Sequence, residues 1–306
     1  MRGGPQTLIV IGGPTASGKT RVAASIAKHF GTEVISADSR QFYHAMRIGT
    51  ARPSVEEMLG VKHHFIGHLE LEQTWSAGEF ARAAERLLQE LLAQHGVAVM
   101  VGGSGLYIDA VCNGLDPLPP SDKRTREKLQ EQFQLEGLVP LLERLKSLDP
   151  EAFRMIDRNN PHRVIRALEI CIISGKSASA QRSGRTQRDD IRIIRIALEV
   201  PRVELYARID ARVDRMIADG FVEEARSLLP HRELNALRTV GYRELFDHFD
   251  GCLPMDETIA MIKQHTRNYA KRQMTWLHRD KSWHWCAPGD TERMFAIVGI
   301  DGPRIP

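Results

Sequence analysis

Two kinds of apolar spacing alternate along the first third of the chain. Apolar-rich runs at 7–13 (TLIVIGG), 33–38 (EVISAD) and 97–103 (VAVMVGG) read as buried strands. Between them apolar residues recur every three or four positions. Val22, Ile26 and Phe30 fall on one stripe of residues 18–30, which predicts an amphipathic helix. Residues 76–96 carry a helix-capping serine, Ser76, a glutamate three positions later, Glu79, and a terminal glycine, Gly96. That is a helix with both its start and its stop written in. Apolar strands alternating with helices imply a parallel sheet covered by helices on both faces, hence an α/β fold.

The pattern changes after GLDPLPPSD (114–122), where Pro117, Pro119 and Pro120 occupy three of four positions and mark a boundary. From there to about 185 only helical spacing is found, until IRIIRIALEV (191–200) reads as a strand returning to the sheet. The economical division is a core of 1–116 and 189–306 with an all-helical insertion at 117–188. The rest is mostly helical, including 208–229 and 258–279.

Composition narrows the classes. The chain has 306 residues, 42% hydrophobic and 26% charged, the profile of a soluble globular protein. No apolar run approaches the roughly 20 residues that span a bilayer, and MRGGPQTLIV lacks the features of a secretion signal. Four scattered cysteines without a CxxC pair fit reduced thiols, so a cytoplasmic protein is expected. HHFIGH (63–68) offers three histidines but no acidic or cysteine partners at ligand spacing. Net charge is only +3, yet residues 120–195 hold 16 Lys/Arg against 11 Asp/Glu, and 255–281 hold six against three. These two basic segments permit a polyanionic partner, although solvated helix faces explain the same counts.

The stretch Gly13-Pro14-Thr15-Ala16-Ser17-Gly18-Lys19-Thr20 fits G-x-x-x-x-G-K-[ST] between a strand and a helix. Backbone amides there converge on phosphate oxygens, the lysine reaches the terminal phosphates and Thr20 offers its hydroxyl to Mg²⁺. The fold class becomes P-loop NTPase-like, with the helical insertion added. Pyrophosphate and the phosphates of ATP would use the same amides, so nucleotide binding stays open. Asp38, just past the second strand, has three competing roles: helix cap, ligand of the metal's water shell, or general base.

Further motifs follow in order: ISADSRQFY, IGTARP, HHFIGHLE, VGGSGLYIDAV, GLDPLPPSD, NPHRVIRALEI, RIDARVDRM, VGYRE and AKRQMTWLHRD. Together with GPTASGKT they strongly resemble the tRNA dimethylallyltransferases, from about residue 8 to 285. The resemblance implies transfer of the dimethylallyl group of dimethylallyl diphosphate to N6 of the adenine at tRNA position 37. The loop would then hold a pyrophosphate that departs, assisted by Lys19, Thr20 with Mg²⁺, and Arg212. Arg208, one turn away on the same face, would assist; the competing reading of Arg208 and Arg212 is a surface salt bridge to Asp210, Asp214 or Glu204. Asp38 would be the general base, with Ser39, Arg40 and Gln41 beside the adenosine. Ser104 stands where the family more often has threonine, and it keeps the hydroxyl. The tRNA-contacting segments would be Arg126, the run His162, Arg163, Val164, Ile165 and Arg166, and the run Arg238, Thr239, Val240, Gly241, Tyr242 and Arg243. Arg163 and Arg166, one helical turn apart, would present a paired phosphate contact.

Three rivals share some of these features. A small-molecule P-loop kinase would use the insertion as a lid. An RNA-binding NTPase switch needs an acid after a hydrophobic strand, and VAVMVGG ends without one. A relative prenylating free adenine nucleotides would not need the basic insertion. For Tyr269 and Trp276, core packing competes with RNA contact. Nothing signals an obligate interface, so a monomer is expected.

Overall fold

A computed structural model describes residues 6–116, 118–181 and 188–299; Pro117 and the chain ends assigned above to the core lie outside them. Two compact units result, residues up to Cys112 together with those from Asp189 onward, and Asn113–Arg188.

In the first unit the strands are β1 (Thr7–Gly12), β2 (Val34–Ala37), β3 (His63–His64), β4 (Val97–Gly102), β5 (Arg192–Leu198) and β6 (Trp283–Cys286). They form one parallel sheet in the order β3-β2-β4-β1-β5-β6. Every residue of β1 is buried, as a central strand covered on both faces requires. Its alternate residues divide between two cores. Leu8 and Val10 face a cluster with Phe80, Ala84 and Leu88 of α2 (Ala77–His95) and Ile108 of α3 (Gly105–Cys112). Ile9 and Ile11 face Val22, Ile26 and Ala27 of α1 (Lys19–Phe30). The capping box expected for α2 is present, with Ser76 and Glu79 satisfying each other's backbone N–H and Gly96 closing the helix in the left-handed region.

The second unit packs α4 (Lys123–Glu136), α5 (Val139–Leu148), α6 (Pro150–Met155) and α7 (Pro161–Ser174) around Leu129, Leu141, Leu145, Val164, Ile165 and Leu168. The first unit continues through α8 (Arg202–Ala218), α9 (Phe221–Leu228), α10 (Tyr242–Phe249), α11 (Met255–Leu277) and α12 (Thr291–Val298). The continuous helix read over 208–229 is two helices, because Gly220 takes φ 99° and turns the chain. The edge strands β3 and β6 are additions to the sequence reading. Among the described residues no helix is long and apolar enough to cross a membrane.

Candidate active site

Three loops meet because their strands are neighbours in register. Gly12 at the end of β1 pairs with Gly102 of β4, and Gly102 pairs with Ala37 of β2. The phosphate loop 13–20, the turn at Asp38 and the Gly103–Ser104 turn therefore leave the sheet side by side at its carboxyl edge, where open α/β sheets bind ligands.

The loop has the conformation its motif demands. Gly18 lies at φ 85° and Ala16 at φ 62°, the second a left-handed conformation at a residue that pays for it with Cβ strain. Lys19 turns its ammonium back to the Pro14 carbonyl at 3.2 Å. Burial lowers its pKa to about 8, against the attraction of Asp38 and with the repulsion of Arg212. The Ser17 hydroxyl is buried without a hydrogen-bond partner.

Asp38 does not cap a helix. Its Oδ1 accepts the Arg40 amide at 3.2 Å in a local turn. Phe42, 1% exposed, stacks on Phe80 and meets Tyr107 edge-on, pinning that turn to α2 and α3. The Ser104 hydroxyl accepts the Ser39 amide at 3.1 Å and lies 3.3 Å from the Ser39 hydroxyl. Keeping a hydroxyl at this position thus keeps a link between two of the three loops. Arg212 of α8 donates to the Thr15 hydroxyl at 3.3 Å, while Arg208 turns away to Glu204 at 2.5 Å.

These groups line two adjoining cavities. One, about 210 Å³, is walled by Gly18, Lys19, Thr20, Gln41 and the apolar side chains of Pro53, Ile66 and Val101. The other, about 400 Å³, is walled by Ser39, Arg40, Arg238, Thr239, Val240, Gly241 and Arg243 together with Tyr269 and Arg272 of α11. Thr15, Asp38, Thr50, Ala51 and Arg212 face both. They form a partition with a carboxylate and a guanidinium in it.

Several sequence expectations are corrected by packing. Tyr242 has no exposed surface, and its hydroxyl goes to Glu224 at 2.6 Å, so it supports the site from behind rather than touching RNA. Val164 and Ile165 belong to the core of the helical unit, because they lie on the apolar face that this amphipathic helix turns to its neighbours. Arg166 is not a free partner to Arg163. It donates to Glu169 at 2.8 Å and to the Pro119 carbonyl at 2.7 Å, and Arg126 reaches the same carboxylate at 2.7 Å. His162 and Arg163 are exposed on α7. Gln41 faces the smaller cavity rather than the larger, and donates to the Thr50 and Ala51 carbonyls at 3.2 Å. Arg40 spends its guanidinium on the Asn235 and Ala236 carbonyls at 2.9 and 3.0 Å.

Gln273 was missed in the sequence. Gln273, 5% exposed, accepts the Thr15 amide and donates to the Gly103 carbonyl, joining the phosphate loop to the Ser104 turn. Tyr269 places its hydroxyl at Ser104, and burial together with the Asp38 charge raises its pKa. Trp276 is half-buried, and its indole N–H donates to Asp109 at 3.2 Å. The three histidines of HHFIGH diverge: His63 to the Val61 carbonyl, His64 to Glu33 and His68 into an edge contact with Phe42.

The fold and the loop define a P-loop protein whose phosphate site opens onto a second compartment. The IPP transferase family model matches residues 41–280, and the chain belongs to that family and is a transferase. It is similar to tRNA dimethylallyltransferase 1 of Bacteroides fragilis, 45% identical over 96% of this chain and 97% of that one. A tRNA dimethylallyltransferase of Christiangramia forsetii is 48% identical, with 91% and 92% covered. Among solved structures, a full-length tRNA isopentenylpyrophosphate transferase of Bacillus halodurans matches with TM-score 0.69 at 35% identity, covering 96% of this chain and 94% of that one. A eukaryotic dimethylallyltransferase acting on tRNA shares the fold, with TM-score 0.81 at 23% identity and 98% and 82% covered.

Proposed function

We propose that this chain transfers the dimethylallyl group of dimethylallyl diphosphate to N6 of the adenine at tRNA position 37, releasing pyrophosphate. The observation that carries the reading is the partition: Asp38 and Arg212 face a phosphate-loop cavity on one side and a larger cavity on the other. A kinase acceptor is a hydroxyl near the terminal phosphate. In the proposed reaction the carbon to be transferred sits between the compartments.

The diphosphate lies on the loop amides with Lys19 and Arg212 as its counter-charges, and Pro53, Ile66 and Val101 offer an apolar surface to the prenyl tail. Thr20, with the Glu57 carboxylate in the same cavity, would supply hard oxygens of the kind Mg²⁺ accepts. Mg²⁺ held there would neutralise charge developing on the leaving group. The allylic C–O bond breaks with its electron pair going to the diphosphate, which fixed positive groups stabilise. N6 forms the new bond to carbon and its proton passes to Asp38. The Ser104–Ser39 bond and the Asp38 turn hold that carboxylate in place. The adenine must leave its stack to enter the second cavity, with Tyr269 and the 238–243 segment against it. The exposed His162 and Arg163 of the helical unit are the phosphate contacts of the anticodon loop.

The test is a label-transfer assay with dimethylallyl diphosphate, Mg²⁺ and unmodified tRNA, run beside AMP and ATP as acceptors. Label in tRNA alone supports the proposal. Label in AMP moves the protein to the nucleotide-prenylating reading, and phosphate moving from ATP restores the kinase.

A further inference from the structure

Glu224 lies on α9, outside every motif that carries the chemistry, yet its carboxylate is fully committed to the active-site loop. One oxygen accepts the amides of Arg47 at 3.0 Å and Ile48 at 2.7 Å. The other accepts the Gly49 amide at 2.9 Å and the Tyr242 hydroxyl at 2.6 Å. Three consecutive backbone N–H groups converging on one anion make a nest, the arrangement otherwise used for phosphate, and here the anion is a side chain.

What the nest holds is the wall of both cavities. Gly49, Thr50 and Ala51 line the larger one, and Thr50 and Ala51 the smaller as well. The Thr50 and Ala51 carbonyls in turn accept Gln41, three residues after Asp38. The loop also approaches α9 and α10 so closely that a Cβ on Gly49 would lie 2.2 Å from the Phe221 ring and 2.6 Å from Tyr242. Phe221 and Tyr242 are themselves buried and packed edge-to-face, with centroids 5.0 Å apart.

We infer that Glu224, clamped by Tyr242, is a positioning residue for the transfer reaction, setting the 47–51 loop and through Gln41 the place of Asp38. This rests on the proposed reaction for its meaning in turnover, but the clamp itself is a physical statement about the loop. Three amides without their anion would have no acceptor in that pocket, and the loop would rebuild its hydrogen bonds elsewhere.

The experiment compares Glu224→Gln, Tyr242→Phe, the double variant and the exposed neighbour control Glu223→Gln. Each is assayed well below its own melting temperature. Glu224→Gln should lose on the order of tenfold to a hundredfold in kcat at saturating substrates, with tRNA affinity nearly unchanged. Tyr242→Phe should lose less, and the double variant should fall no further than Glu224→Gln, because both act through one contact. Independently of transfer, trypsin should cut the native chain after Arg47 roughly tenfold faster once the clamp is gone, as local opening becomes cheaper. Wild-type kcat in folded Glu224→Gln, or additive losses in the double variant, overturns the inference. If Glu224→Gln does not fold, unchanged kcat and unchanged cleavage in Tyr242→Phe overturn it. A wild type that moves no label would sink the proposed reaction instead, and the trypsin comparison would still decide the clamp.

Discussion

Gln273 stands 258 positions after Thr15, and its side-chain oxygen accepts the Thr15 amide at 2.8 Å. One amide of the phosphate loop is thereby occupied by the protein and fixed relative to α11. Gln273→Glu keeps that acceptor, loses the donor to the Gly103 carbonyl and adds a negative charge to the loop on which the diphosphate is proposed to lie. At a few ångströms in a partly screened site such repulsion is worth about 1–2 kcal/mol. The KM for dimethylallyl diphosphate should rise roughly tenfold. Initial rates against donor concentration check this, and an unchanged KM would place the diphosphate away from Gln273.

Asp38→Asn keeps the shape of the turn and removes the proton acceptor. Single-turnover transfer should slow by roughly 10²–10⁴-fold, while tRNA binding stays within a few-fold of wild type. A preserved rate would take the base role away from Asp38.

Lys19, with its pKa lowered to about 8, loses its charge in the free enzyme as pH rises through about 8. The bound diphosphate favours the charged form, so the complex holds the proton that the free enzyme gives up. Donor affinity should therefore be flat below about pH 8 and weaken above it by up to tenfold per pH unit. Calorimetric titration from pH 7 to 9.5 measures it. In Lys19→Gln the alkaline arm should vanish along with most of the affinity.

Glu169 has no exposed surface and receives Arg126, Arg166, the Ser121 hydroxyl and the Asp122 amide. Burial pushes its carboxyl up, but these hydrogen bonds outweigh it and hold the pKa below the ordinary value. The stability it gives is present above the unfolded pKa and is lost as pH falls through the lower folded one. Glu169→Ala should cost about 3 kcal/mol and weaken that acid-side loss. Denaturant melts at pH 7 and at pH 3 test both parts.

Arg163 is exposed on α7 where Arg166 is not free. Arg163→Ala should weaken tRNA binding and reduce the slope of log affinity against log salt by about 1. Filter binding over a salt series decides it, and an unaltered slope removes Arg163 from the RNA contact.

Much of this was readable in the chain because local physics dominates there. The phosphate loop, the capping box of α2 and the buried strands β1, β2 and β4 are each decided by residues within one turn or one strand. Tyr242 and Val164 were misplaced for a single reason: a motif names adjacent residues, whereas a helix turns about 100° per residue and brings only some of them to the surface. Gln273, Glu224 and Glu169 act on backbone or side chains 258, 175–177 and 43–48 positions away, and no periodicity registers such a contact. The strands β3 and β6 were overlooked because edge strands this short carry too few residues to show alternation.

The partition formed by Thr15, Asp38, Thr50, Ala51 and Arg212 would also separate the exits in the proposed reaction. Pyrophosphate would be left on the side of Gly18–Thr20 and withdraw the way the donor came in, while the prenylated base would retreat past Arg238–Arg243. Neither product would lie in the other's path. Pyrophosphate should accordingly compete with the donor and leave the binding of fresh tRNA untouched, so the enzyme can reload on one side while it is still emptying on the other.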